Sequence, residues 1–277
     1  MVSGQSSSAA EQTTTLSANR IAARLGIPRL YHYAPFCPDR LIDILRNHRI
    51  FCSNPANFND PWDCKPCFDP ELITDAESQS ASAEYFISNQ SGGPHGDMYD
   101  DALRKSPFVL KSTIKDLSDE FTEFIPKNWG VYCLAKRRCN SLMWSHYSRG
   151  HTGICLEFQA TSSHFRLAYE VLYRETYPQI LPHEQQNPIK LLITKSDVWN
   201  YEEEFRLICP RFPGFWNNPL IMEGNYLAIA PDDLKSIIVG CRADYDVIKA
   251  LIEEHAPSLP VKRAQRLPNK YRLSIED

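Results

Sequence analysis

Three short apolar runs, far apart in the chain and each edged by polar side chains, constrain this sequence more than anything else in it. They read Leu30-Tyr31-His32-Tyr33, Val131-Tyr132-Cys133-Leu134 and Tyr201-Glu202-Glu203-Glu204-Phe205-Arg206-Leu207-Ile208. Short runs rich in Tyr, Val, Ile and Phe favour strands. Polar side chains lodged in such runs need either solvent or a shared site. A fold that joins the three runs would concentrate one His, one Tyr and a pair of Glu.

The segments beside each run give the local plan. After the Pro28 breaker and the first strand, Pro38 and Asp39 suit the first turn of a helix, where a missing N–H costs nothing and a carboxylate meets the positive dipole end. Leu41, Ile42, Ile44 and Leu45 supply its apolar face. Arg49 to Ser53 reads as a short strand closed by the turn-rich loop Asn54 to Asp63. The second run leads into Asn140 to Tyr147, where Leu142, Met143 and the aromatics predict a short helix. A turn at Gly150 to Gly153 and a strand through Phe158 follow. The third run follows a helix opened by Pro188 and carrying Ile189, Leu191, Leu192 and Ile193. If Tyr201 onward is one strand, Glu202, Glu204 and Arg206 share a face. Towards the C-terminus, Ser236 to Gly240 reads as a buried strand, Asp244 to His255 as a helix with Val247, Ile248 and Leu251 on one face, and Val261 to Leu267 as a last strand.

A chain of 277 residues with 43% hydrophobic content is long enough for one substantial core. The strand and helix order is too irregular for a doubly wound sheet. The expectation is a single α+β domain over 21–277 with a split or packed β-sheet core and flanking helices. It is preceded by a disordered Ser-, Thr- and Gln-rich tail over 1–20 and interrupted at about 71–125 by a mobile helical insertion around the Gly92-Gly93-Pro94 break. A net charge of −4 gives no bulk pull towards nucleic acid, although Lys136-Arg137-Arg138 and Lys262-Arg263 with Arg266 offer local patches. Nine cysteines without framework spacing argue for a reducing, cytoplasmic setting. No apolar run of about 18 residues predicts a membrane span. The tail lacks the apolar stretch of a secretory signal, and a leader for contact-dependent secretion stays open, as does the oligomeric state.

Other chemistry gets less support. Cys64-x-x-Cys67 is half of a zinc knuckle without its second half, and His146 with His151 has no partner fixed by spacing, so no metal site is expected. Asn59, Asp60 and Asp63 with Glu202 and Glu204 nevertheless leave a Mg²⁺-dependent nuclease open. Asp60 is equally a turn residue. The Glu202–Glu204 run with Lys195 and Arg206 equally reads as a structural ion-pair group. No dinucleotide fingerprint, P-loop or nucleophile elbow is present.

The strings LYHY, IFCSNPANFNDPWDC, SLMWSHYSRGHTGICLEF and WNYEEEFRLI resemble hallmark segments of a mostly bacterial family known as domain of unknown function 2971. The likeness spans about residues 29–242. More distantly, the order of a strand ending in His, a helix, a strand entering a polar loop and a later strand opening with Glu is similar to the ADP-ribosyltransferase superfamily, particularly its toxin-like branches. That resemblance implies an ADP-ribosyltransferase-like fold and NAD as substrate. His32 would meet the NAD ribose, Tyr147 would stack on nicotinamide, and Glu204 would stabilise the oxocarbenium-like transition state with Glu202 orienting the acceptor. Tyr31, Ser53, Asn59, Asp60, Trp144, Ser145, His146 and Arg206 would complete the nucleotide-binding wall. It further implies a toxin or phage-defence effector with a protein or nucleic-acid acceptor. A silent nucleotide-binding module is the non-enzymatic alternative.

Overall fold

The computed structural model describes residues 20–65, 67–89, 97–184, 189–213 and 218–276. The predicted tail up to residue 19, the Gly92-Gly93-Pro94 break and Pro188 lie outside the described residues. The remainder is a mixed α/β structure organised by an eight-stranded sheet. From one edge to the other the strands run Leu273–Glu276, Val261–Arg266, Leu234–Val239, Ile154–Gln159, Arg29–Ala34, Trp129–Ala135, Glu204–Pro210 and Tyr169–Glu170. All neighbours are antiparallel except Leu234–Val239 with Val261–Arg266. That parallel pair is linked by the helix Tyr245–His255, as a parallel connection requires.

Period-two alternation divides the side chains between the two faces. On one face Leu30, Leu134, Leu156, Phe205, Leu207 and Ile237 join the main core. Helix Pro38–Asn47 packs there through Leu41 and Leu45, and the C-terminal helix through Ile248 and Ile252. Val247, expected on the buried face of that helix, is 57% exposed, because the 3.6-residue period aligns Ile248 with Ile252 instead. The opposite face carries Tyr33, Cys155 and Ile238 under Met143 and Trp144 of the helix Ser141–Tyr147. Within the predicted insertion, helices Ala76–Asn89, Asp97–Lys105 and Pro107–Asn128 gather around Phe86, Leu103, Leu110 and Ile114 as a separate apolar cluster.

One irregularity in the sheet creates the site. Arg29–Ala34 pairs along its whole length with Ile154–Gln159, but meets Trp129–Ala135 only at Tyr31 and Ala135. Further along, the same edge of Trp129–Ala135 is taken by Ser53, which exchanges both backbone hydrogen bonds with Val131. The sheet is therefore split between Tyr31 and Ser53, and the gap opens next to Cys133. On its other edge the His32 strand is tightly met. A Cβ on Gly153 would come within 2.2 Å of the Ala34 carbonyl, so only glycine lets the neighbouring strand begin so close to the end of the His32 strand.

Candidate active site

A cleft of about 420 Å³ lies over the split and draws on all three polar runs. Tyr31 and His32 come from the first, Tyr147 and His146 from the helix after the second, and Glu202, Glu204 and Arg206 from the third. Ser53 and Asn59 line it from the polar loop. Three of the expected wall residues stand elsewhere. Trp144 is fully buried, edge-on to Tyr33 at 5.2 Å, and donates its indole N–H to the Arg138 carbonyl at 2.9 Å, so it is a core aromatic with no face left for a ligand. Ser145 points to solvent from the same helix. Asp60 is on the wall of a neighbouring pocket, with Oδ1 accepting from the Trp62 N–H at 3.0 Å as a turn residue does.

Helix Ser141–Tyr147 is placed by one side chain. Asn140 Oδ1 accepts from the N–H groups of Leu142 and Met143, capping the helix, while its amide donates to the Tyr201 carbonyl. The same residue thus ties the helix that carries Tyr147 to the turn that carries Glu202. The Tyr147 hydroxyl donates to Glu202 Oε1 at 2.5 Å. Burial first, and then the Glu202 charge, raise the phenol well above its ordinary pKa, so it stays a neutral donor.

The third run is not a continuous strand. Asp197–Glu202 forms a 3₁₀ helix, Glu203 turns left-handed at φ 44°, and the strand begins at Glu204. Glu204 and Arg206 do share a strand face, but Glu202 reaches the cleft from the turn before it. The alternation rule does not apply across the bend, and the Glu203 αL conformation is what brings both carboxylates to Lys195.

Around these side chains is a buried ionic cluster of three acids and two bases. Arg206 donates to both oxygens of Glu204 at 2.8 Å and to both oxygens of Asp63 at 2.6 and 2.7 Å, and its Nη1 also reaches the Leu192 carbonyl at 2.7 Å. Its five donors are thereby spent on the protein, which leaves Arg206 lining the cleft without a hydrogen bond to offer a nucleotide. Lys195, only 6% exposed, contacts Glu202 at 2.6 Å, Glu204 at 3.2 Å and Asp63 at 3.7 Å, and lies 5.0 Å above the Trp199 ring. Burial works against its charge, but Glu204, Glu202 and Asp63 outweigh that and hold the amine protonated.

The two glutamates respond in opposite directions. Burial pushes Glu204 up, but Arg206 and Lys195 bring its pKa down to about 2. Glu202 is raised, chiefly by burial, with the Glu204 charge adding to it and Lys195 opposing it. With three acids and two bases the group as a whole carries one surplus negative charge, and Glu202, bound to Lys195 at 2.6 Å, is the acid that Arg206 does not hold. In the same cleft, His32 donates from Nδ1 to the Cys133 carbonyl at 2.7 Å and stacks on Tyr132 at 4.3 Å. Loss of hydration first, with the Arg40 charge added and the carbonyl opposing, lowers its pKa to about 4. The imidazole is therefore neutral at pH 7, and its Nε2 is a hydrogen-bond acceptor.

Residues 143–207 match a family model described as protein of unknown function (DUF2971). That stretch holds Tyr147, Lys195, Glu202, Glu204 and Arg206, and supports the resemblance to this family; His32 and Asp63 lie outside it. No curated protein and no solved structure matches the chain.

Sequence reasoning missed Tyr173, whose hydroxyl accepts from the Glu204 N–H at 2.9 Å, and Arg40, which lines the mouth of the cleft. Tyr173 belongs to a three-residue strand, Leu172–Arg174, whose only signal is its pairing with Thr194–Ser196. No helix among the described residues is long and apolar enough to cross a membrane.

Proposed function

We propose that this cleft cleaves the bond between nicotinamide and ribose in NAD and transfers ADP-ribose to a macromolecular acceptor. The observation that carries the reading is that Glu202, Tyr147 and neutral His32 line one cleft. Breaking the C1′–N bond releases nicotinamide with the bonding electrons and builds positive charge on the ribose. A carboxylate in a low-dielectric wall stabilises that charge directly, and Glu202 is the acid of the group that Arg206 does not hold. The acceptor nucleophile then bonds to C1′ and gives its proton to Glu202. His32 Nε2 accepts from a ribose hydroxyl, Tyr147 and Asn59 border the nicotinamide, and Arg40 at the rim takes the pyrophosphate charge.

This assigns the chemistry to Glu202 and gives Glu204 the task of holding Arg206 and Lys195. The Mg²⁺ nuclease alternative draws on the same acids, but Asp63 and Glu204 are already matched by Arg206 and Lys195 in the places a metal would take. A cytoplasmic effector is the setting that suits nine free thiols, and a toxin or phage-defence role is the one the family resemblance favours. Nicotinamide released from NAD is the test. Wild-type protein is expected to release it and Glu202→Gln to do so at least about 100-fold more slowly, the size of one electrostatic contact in the transition state. Release unchanged in Glu202→Gln would end the assignment.

A further inference from the structure

Two more pockets continue from the cleft, each sharing a wall with the one before it. The first, of about 230 Å³, has Asp63 and Lys195 in common with the cleft, and the second, of about 320 Å³, has Arg174 in common with the first. The three cavities are thus strung in series, and the chemistry changes along them. Next to the cleft stand two large aromatics that fold into no core: Trp62 is 63% exposed and Tyr177 is 37% exposed. Between them and the cleft, Asp60 is 3% exposed, and its Oδ2 has no hydrogen-bond partner among the described residues. Beyond them the walls carry Arg174, Lys136 and Arg20 together with Glu170 and Glu203, the last paired with Arg137. Arg20 is paired with Glu170, whereas no carboxylate among the described residues forms an ion pair with Arg174 or Lys136.

Exposed aromatic faces followed by unmatched cations are what a flexible polyanion with flat side groups requires. Stacking on an aromatic is worth about 1–3 kcal/mol per base and tolerates any base, and cations follow the phosphates. We infer that this track binds single-stranded nucleic acid, with one base stacked on Trp62 and the adjoining phosphates on Arg174 and Lys136. Glu175 on the rim repels phosphate and keeps the backbone on the Arg174 side. The overall charge of −4 confines binding to this strip. The binding stands alone; calling the bound strand the acceptor rests on the NAD reading.

The test uses the full chain and fluorescein-labelled single-stranded RNA and DNA of about 12 nucleotides, followed by anisotropy between about 50 and 200 mM salt. Wild-type protein is expected to bind, with affinity falling as salt rises. Trp62→Ala is expected to weaken binding about tenfold. Lys136→Gln with Arg174→Gln is expected to lower the slope of log affinity against log salt by about 1.4, two charges at about 0.7 each on a single strand. All of these side chains are solvent-facing, and thermal melts check that the variants fold. Absence of binding by the wild type, or equal binding by all variants, overturns the inference. With labelled NAD, label appearing on protein and none on the strand overturns the acceptor role. Nicotinamide release is read with and without added strand: if wild type releases none in either case, the NAD reading fails while the binding result stands.

Discussion

Glu157 and Glu202 are both buried glutamates of the same sheet region, at 6% and 3% exposure, and both are held by a lysine. Glu157 sits among Ser236 at 2.6 Å, Lys262 at 3.2 Å and Arg29 at 3.2 Å, so one acid faces two cations, and although burial pushes it up, Ser236, Lys262 and the Arg138 charge leave its pKa below the usual carboxylate range. Glu202 belongs to a group in which three acids face two cations, its pKa is raised, and it borders a cavity. Burial alone does not distinguish a working carboxylate from a structural one. The surplus of charge and the open space beside it do.

The sharpest way to break the comparison is to remove the residue that makes the surplus tolerable. Arg206→Met leaves Asp63 and Glu204 buried with Lys195 alone between them. Losing one partner of a buried pair costs about 3–5 kcal/mol, so urea denaturation is expected to show a loss of that size or no folded protein. A loss under about 1 kcal/mol would mean the cluster is hydrated, and the contrast with Glu157 would collapse.

Next in size is the contrast between the two cleft glutamates. Glu204→Gln removes the charge that matches Arg206, and its principal cost is expected in stability, again about 3 kcal/mol. Glu202→Gln keeps an oxygen for Tyr147 or Lys195 and leaves two acids beside Lys195 and Arg206, so its stability is expected to stay within about 1 kcal/mol of wild type while nicotinamide release falls. Denaturation and turnover measured on both variants separate the roles. The opposite pattern, a stable but inactive Glu204→Gln, would return the chemistry to Glu204.

Acidity gives a smaller effect of defined sign. His32 binds its proton at about pH 4 in the folded chain and near 6.5 when unfolded, so the unfolded chain gains protons first as pH falls. Stability is therefore complete above about pH 6.5 and declines towards pH 4, by at most about 1.4 kcal/mol per pH unit for one group. Glu204, at about 2 when folded, adds a further loss as pH falls below the ordinary carboxylate range. Glu202 acts in the other direction, since its raised pKa costs stability as pH rises through it. His32→Gln is expected to flatten the denaturation midpoint between pH 6.5 and about 4.5, and a profile identical to wild type would show that His32 is hydrated.

Much of this was legible in the sequence because local signals are strong where apolar period and capping agree. The strand at His32, the helix from Pro38 and the helix after Asn140 follow from such signals, and the resemblance gathered His32, Tyr147, Glu202 and Glu204 before any contact was known. What was not legible depends on geometry without a local signature. The split between Tyr31 and Ser53 arises from which edge of Trp129–Ala135 each segment meets. The bend at Glu203 converts an apparent strand alternation into two carboxylates on one lysine. Trp144 and Tyr147 stand three residues apart and so share nearly one helical face, yet Trp144 is fully buried against Tyr33 while Tyr147, a turn further on, reaches the cleft. A stretch of sequence names the residues present there but not what each will meet once the helix has docked.

The smallest effect belongs to the structural member of the pair. Glu157→Gln removes a charge from between Lys262, whose side chain is 17% exposed, and Arg29, whose side chain is 36% exposed. Both cations are long and close enough to water to be resolvated after a rotamer change, so the loss is expected to be about 1 kcal/mol or less, against the larger loss for Glu204→Gln. Nicotinamide release should be unchanged, since Glu157 lines no part of the cleft. Measuring both quantities on this variant asks whether carboxylates of equal burial are equal in consequence. A loss above about 3 kcal/mol would mean that distance from solvent, and not the balance of charge around the group, sets the cost of disturbing it.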